Sequence, residues 1–108
     1  MRNAFIETIG KILKKNKKAI MLNGDAGYKI FKPISLTYKS QYINCGIAEA
    51  NMITMATGLA NSGFIPFTYA IGAHIVYRAF EQIRNDACLN KSNIKINSIL
   101  VVTLILYG

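Results

Sequence analysis

The spacing of apolar residues predicts that the chain begins with a helix. Phe5, Ile9, Ile12 and Leu13 recur at helical intervals, and lysines occupy the opposite face. This pattern is typical of a helix that packs one side against a sheet. The short apolar run at residues 19–22 follows the helix and is typical of a buried strand.

Strands and helices are predicted to alternate along the rest of the chain. Residues 28–40, which include Pro33, are predicted to form an irregular loop. Further strands are predicted at residues 42–44, 65–70 and from 94 onward, and helices at 47–61 and 74–88. Gly63 fits the left-handed residue that commonly follows a helix. Because strands separated by helices pair in parallel, the sequence predicts an α/β fold built on a parallel sheet.

The composition is that of an ordinary domain with one core. The 108 residues are 52% hydrophobic, but no apolar run approaches the roughly 18 to 20 residues that span a bilayer. The charged, amphipathic start does not resemble a secretory signal peptide. Cys45 and Cys88 lack metal-ligand or redox spacing. We therefore expect a reduced, cytoplasmic location and no membrane partner.

The positive charge is concentrated in the first third of the chain. The net charge is +8, and nine of the thirteen Lys and Arg residues lie at or before Lys39. Five lysines cluster at the end of the first helix: Lys11, Lys14, Lys15, Lys17 and Lys18. Such a cluster attracts polyanions such as RNA, or it is a solvated face that complements the helix dipole. No nucleic-acid motif accompanies the cluster, so we expect no nucleic-acid partner.

Glu49 is the main candidate for chemistry. It is the only formally charged residue between Ser40 and Tyr77, and its neighbours are small or apolar. Burial without a partner favours the protonated form of a carboxyl group, which suits general acid–base chemistry. The alternative is structural: Gly46 is an N-cap, and Glu49 is the third helical residue, close to free N–H groups. Spacing alone favours the structural alternative.

Several motifs carry a family resemblance. INCGIAEANM at residues 43–52 and RAFEQIRND at 78–86 resemble two signatures of the pyrimidine-binding domain of transketolase-type thiamine diphosphate enzymes. Other segments that fit in order are 2–5, 23–27, 56–60 and 63–67. The chain resembles in particular the C-terminal section of split transketolases. The resemblance implies a three-layer, parallel-sheet, thiamine-diphosphate-binding-type fold. We expect an incomplete domain at 1–96 and a divergent apolar tail at 97–108.

The resemblance also implies a function. In the family, the counterpart of Glu49 forms a hydrogen bond with N1′ of the cofactor's aminopyrimidine. The implied reaction moves a two-carbon ketol unit between sugar phosphates. In the family, magnesium and the diphosphate are held by a separate domain with a Gly-Asp-Gly…Asn motif. We therefore expect thiamine diphosphate as cofactor, no metal ligand in this chain, a diphosphate-binding partner and no activity in isolation.

Other site residues are implied by position. Asp25 corresponds to an acidic loop residue that lies near the cofactor in relatives. Ile71 and His74 stand where the family usually has two phenylalanines that wall the pyrimidine ring. Tyr77 is a further candidate for the pocket. The alternatives are a helix-start residue without a catalytic role for His74 and half-buried packing for Tyr77.

A second function is compatible with the same fold. The chain would then be a non-catalytic remnant or an interaction module. Small residues of the predicted 47–61 helix allow a close approach of another backbone, either within one chain or at the dimer interface where this helix lies in the family. The uncharged, β-prone tail and an open sheet edge together predict aggregation.

Overall fold

The computed structural model describes residues 2–99, which place a four-stranded parallel sheet between two layers of helices. The strands are β1 (Ala19–Asn23), β2 (Tyr42–Asn44), β3 (Ile65–Ile71) and β4 (Lys95–Ile99), in the order β2-β1-β3-β4. The helices are α1 (Arg2–Lys15), α2 (Tyr28–Thr37) and α3 (Glu49–Asn61). A 3-10 turn (Lys39–Gln41) precedes β2, and two π-helical segments (His74–Arg78 and Gln82–Cys88) join β3 to β4. The predicted α/β fold with parallel pairing is confirmed.

Side chains of β1 alternate between the two helical layers. Ala19 and Met21 belong to the core cluster on the α1 and α2 side. Ile20 and Leu22 belong to the cluster on the side of α3 and the π-helical segments. Because both faces of a central parallel strand are covered, its sequence is a continuous apolar run.

The predicted loop at residues 28–40 is wrong, because α2 occupies most of it. Phe31 and Ile34 are 1% and 6% exposed, and both pack into the core cluster beneath α1. The Phe31 and Tyr69 rings meet edge to face, with centroids 4.8 Å apart. Pro33 removes one backbone donor inside the helix, and burial of the amphipathic face compensates for that loss.

The start of α3 also differs from the expectation. Gly46 is not the N-cap: its φ is +71°, and its N–H donates to the Asn44 side chain at 2.9 Å. Ala48 is the N-cap, so Glu49 is the first helical residue rather than the third. At the other end Gly63 has a φ of +90° and donates to the Ala60 carbonyl at 3.1 Å, which confirms its predicted role.

No helix within residues 2–99 is long and apolar enough to cross a membrane.

Candidate functional site

The candidate residues follow the carboxyl ends of three neighbouring strands. Asp25 comes after β1, Glu49 after β2, and His74 after β3. In a parallel sheet these ends lie at one edge, which is where open α/β folds bind ligands. The topology therefore brings three sequence-predicted residues to the same edge.

Glu49 is buried and has two partners from one helical segment. Its side chain is 3% exposed. Arg78 Nη1 donates a hydrogen bond to Glu49 Oε2 at 3.4 Å. On the other oxygen, His74 Nδ1 lies 3.5 Å from Glu49 Oε1. Glu49 has no charged partner nearby in sequence, as predicted. Its hydrogen-bond donor, Arg78, lies 29 residues further along the chain.

The segment that carries both partners is π-helical rather than α-helical. His74–Arg78 forms the first π-helical segment, and Ile75 and the following Ala79 are fully buried against the α3 side. The predicted helix at residues 74–88 is therefore present, but most of it is π-helical. Helical segments of this kind are rare and are frequent at functional sites.

The loop after β1 is fixed by Asn23, a residue that the sequence analysis did not single out. Asn23 is 1% exposed, and its Nδ2 donates to the Ala26 carbonyl at 3.0 Å and to Tyr42 Oη at 2.9 Å. The Ala26 N–H donates back to Asn23 Oδ1 at 3.1 Å. Burial raises the pKa of the Tyr42 phenol, although the Asn23 hydrogen bond opposes this shift. The sequence feature that could have pointed to Asn23 is its position as a polar residue at the end of an apolar strand.

Asp25 is exposed in this loop and has a φ of +56°. Asn44 Nδ2, at the end of β2, donates to Asp25 Oδ1 at 3.0 Å. A positive φ is uncommon for a residue other than glycine, and it is seen most often for Asn and Asp. The carboxylate is therefore held at the sheet edge by the neighbouring strand.

The predicted pocket-wall residues do not all lie together. His74 contacts Glu49 on the α3 side, whereas Ile71 packs against the core cluster on the α1 and α2 side. Tyr77 is 81% exposed, so it is not the half-buried packing residue considered as an alternative. The cofactor-binding roles of Ile71, His74 and Tyr77 remain predictions.

A cavity lies away from Glu49. It has a volume of about 460 Å³ and is lined by Arg2 and Phe5 of α1, Tyr69 of β3 and residues 96–99 of β4. Within residues 2–99, no group of three or more His, Cys, Asp and Glu side chains is placed to hold a metal ion. The cavity thus does not include Glu49 or its two partners.

Comparisons of the chain with known proteins agree on one family. The family described as "Transketolase, pyrimidine binding domain" matches residues 1–104. A putative transketolase C-terminal section of Methanocaldococcus jannaschii is 35% identical over 97 residues, covering 89% of this chain and 31% of that protein. Transketolase-like protein 1 of Macaca fascicularis is 38% identical over 90 residues, covering 82% of this chain and 15% of that protein.

A solved structure agrees with these matches. It is described as a split gene transketolase in an inactive β4 tetramer, and it superimposes with a TM-score of 0.80 at 32% identity. The match covers 88% of this chain and 32% of that chain. The predicted three-layer fold is thus found in a split transketolase. The chain spans 31% of the length of the archaeal relative.

Proposed function

The chain belongs to the transketolase pyrimidine-binding domain family, and from that premise we propose that it binds the aminopyrimidine end of thiamine diphosphate. Its family includes transketolases and 1-deoxy-D-xylulose-5-phosphate synthases. Membership implies thiamine diphosphate dependence in the family.

The observation that carries the proposal is the buried carboxylate of Glu49 at the sheet edge. A carboxylate that is 3% exposed and reached only by long contacts of 3.4 and 3.5 Å retains capacity to accept a further hydrogen bond. This chemistry fits a pyrimidine ring nitrogen. The diphosphate end is assigned to a partner subunit or domain, as the family resemblance implies.

Each candidate residue has a definite task in this proposal. Glu49 holds and shares a proton at N1′ of the aminopyrimidine. His74, which lies beside Glu49, walls the ring together with the exposed Tyr77. Ile71, predicted for the same wall, packs toward the α1 and α2 side. Asp25 lies near the cofactor in the loop after β1. When bound, thiamine diphosphate supplies carbanion chemistry, while the protein supplies orientation and one buried carboxyl group.

The proposed reaction is transfer of a two-carbon ketol unit between sugar phosphates, by an assembly of which this chain is one part. The partner is a diphosphate-binding subunit or domain that holds magnesium, in a homo- or hetero-oligomer. Apolar side chains next to the site residues in sequence favour such an association: Ile47, Tyr77 and Phe80 are 72%, 81% and 62% exposed. Cys45 and Cys88 are free thiols, which is consistent with a reducing cytoplasmic setting.

A second candidate is an interaction module that keeps the fold without catalysis. Two observations favour it. Both Glu49 oxygens already face side chains of the same chain. At the wall, Ile71 offers no aromatic ring and packs toward the opposite layer.

Calorimetry with thiamine diphosphate and magnesium separates the two candidates. We expect weak or no binding by this chain alone, and binding once a diphosphate-binding transketolase subunit is added. Glu81→Gln removes an exposed acid close to Arg78 in sequence, and it should bind the cofactor as the wild type does in both experiments. Tight binding by the isolated chain would show that the site is misplaced. No binding by the reconstituted assembly would favour the interaction module.

A further inference from the structure

The two oxygens of Glu49 face side chains of different chemistry. Oε2 accepts a hydrogen bond from Arg78, whereas Oε1 lies near the imidazole of His74. A guanidinium is always charged and only donates, while an imidazole nitrogen changes between donor and acceptor. We propose that Arg78 is a positioning residue that holds Oε2 and leaves Oε1 as the oxygen that meets the cofactor. The second half of this inference rests on the proposed function.

Arg78 is suited to this task by how its segment is anchored. Its neighbours Ile75 and Ala79 are each 0% exposed and pack into the core cluster that contains Met52 of α3. The backbone of Arg78 is therefore fixed relative to the helix that begins at Glu49. The guanidinium itself lies at the surface, with a side chain that is 52% exposed.

Charge balance also requires a partner of this kind. An ionised carboxylate at 3% exposure is unfavourable unless a cation or hydrogen-bond donors compensate it. The positive end of α3 supplies part of this compensation, because Glu49 lies in the first turn. Arg78 supplies a full positive charge on one side, so the orientation of the carboxylate is set before any ligand arrives.

His74 has the opposite character. Its Nδ1 lies 3.5 Å from Oε1 without forming a hydrogen bond, and its side chain is 35% exposed. A ring that enters beside His74 therefore reaches Oε1 without breaking a hydrogen bond, whereas reaching Oε2 requires displacing the Arg78 guanidinium. We therefore expect the cofactor ring to approach Glu49 from the side of His74.

The pairing is tested first in the isolated chain by a double-mutant cycle. The variants are Arg78→Met, Glu49→Gln and the two combined, with Arg84→Met as a control that removes an exposed arginine from the next π-helical segment. We expect Arg78→Met to lower the thermal midpoint, Arg84→Met to leave it unchanged, and the double variant to lose less than the sum of its parts. Additive losses would overturn the pairing.

The positioning role is tested in the assembly with a diphosphate-binding subunit. Arg78→Met should raise the Kd for thiamine diphosphate by roughly tenfold, because a hydrogen bond to a charged group contributes about that much. Arg78→Lys should restore part of the affinity, since it retains the charge without the planar fork. Arg84→Met should match the wild type.

The outcomes separate the two levels of the proposal. If the wild-type assembly binds cofactor and Arg78→Met binds equally well or more tightly, the positioning role is wrong while the proposed function stands. If the wild-type assembly does not bind cofactor, the proposed function and the role toward Oε1 both fail. The cycle in the isolated chain then decides whether Arg78 orients Glu49 at all.

Discussion

Gln41 shows how one buried polar side chain can hold several elements together. It is 3% exposed, and its Nε2 lies 3.1 Å from the Leu13 carbonyl, 2.9 Å from Asn16 and 2.9 Å from Ala19. These carbonyls belong to the end of α1, the turn after it and the first residue of β1. The side chain thus supplies donor hydrogens to the end of α1 and to the turn that follows it, where the Asn16 carbonyl also accepts the Ala19 N–H at 3.1 Å.

Replacing Gln41 tests this role. Gln41→Leu retains much of the volume but removes both donor hydrogens, so the carbonyls lose a partner inside the core. We expect the free energy of unfolding to fall by about 1 to 3 kcal/mol, which is the usual effect of leaving a buried polar group unpaired. Urea denaturation measures this change.

The matched control is Ser40→Ala in the same turn, at an exposed position. It should change the free energy of unfolding by no more than about 0.5 kcal/mol. Equal stability of Gln41→Leu and the control would contradict the capping role.

At the residue scale, the sequence identified the carboxylate but not its surroundings. Glu49 stood out because no charged residue lies near it along the chain. Its partner Arg78 is 29 residues away, and only the packing of the π-helical segment against α3 brings the two together. Gln41 was missed for the same reason, since its partners lie 22 to 28 residues away. Asn23 differs, because two of its hydrogen bonds are to the nearby Ala26 and only Tyr42 is distant.

At the element scale, α2 illustrates the limit of local rules. Pro33 favoured a loop, yet Phe31 and Ile34 are spaced three residues apart and face the core. Tertiary burial overrode the local preference of proline. The strands and the remaining helices were predictable because their apolar runs and helical spacing agree with turn residues such as Gly63.

Pro33 itself provides a test at this scale. Pro33→Ala restores a backbone N–H inside α2, at the cost of a more flexible unfolded chain. We expect a net rise of about 1 kcal/mol in the free energy of unfolding, measured by urea denaturation. Ser35→Ala in the same helix is the control for a general gain in helix propensity. A loss of stability in Pro33→Ala would mean that the helix depends on the proline.

For the whole molecule, the two faces of the sheet differ in charge and in apolar exposure. α1, α2 and the turns that follow them carry eight of the ten lysines. The side of α3 and the π-helical segments carries Glu49 and the exposed apolar residues Tyr77 and Phe80. We infer that assembly uses the second side, because desolvated aromatic side chains contribute strongly to interfaces.

A pair of substitutions tests the choice of face. Phe80→Asp should weaken association with a diphosphate-binding subunit by about tenfold or more, because it places a charge where an aromatic side chain is to be buried. Leu36→Asp is the control: it is 60% exposed on α2, compared with 62% for Phe80. Sedimentation velocity at several concentrations measures both. Equal weakening by the two variants would contradict the assignment of the face.

The most direct test of the central claim is the turnover of Glu49→Gln in the reconstituted assembly, with Glu81→Gln as the control. The amide keeps the shape of the side chain but does not share a proton in the same way. We expect ketol transfer to fall by roughly 10² to 10⁴-fold, the usual contribution of general acid–base catalysis, with the fold of the chain retained. Glu81→Gln should keep the wild-type rate. Full turnover of Glu49→Gln would contradict the claim and leave this carboxylate as a structural residue at the start of α3.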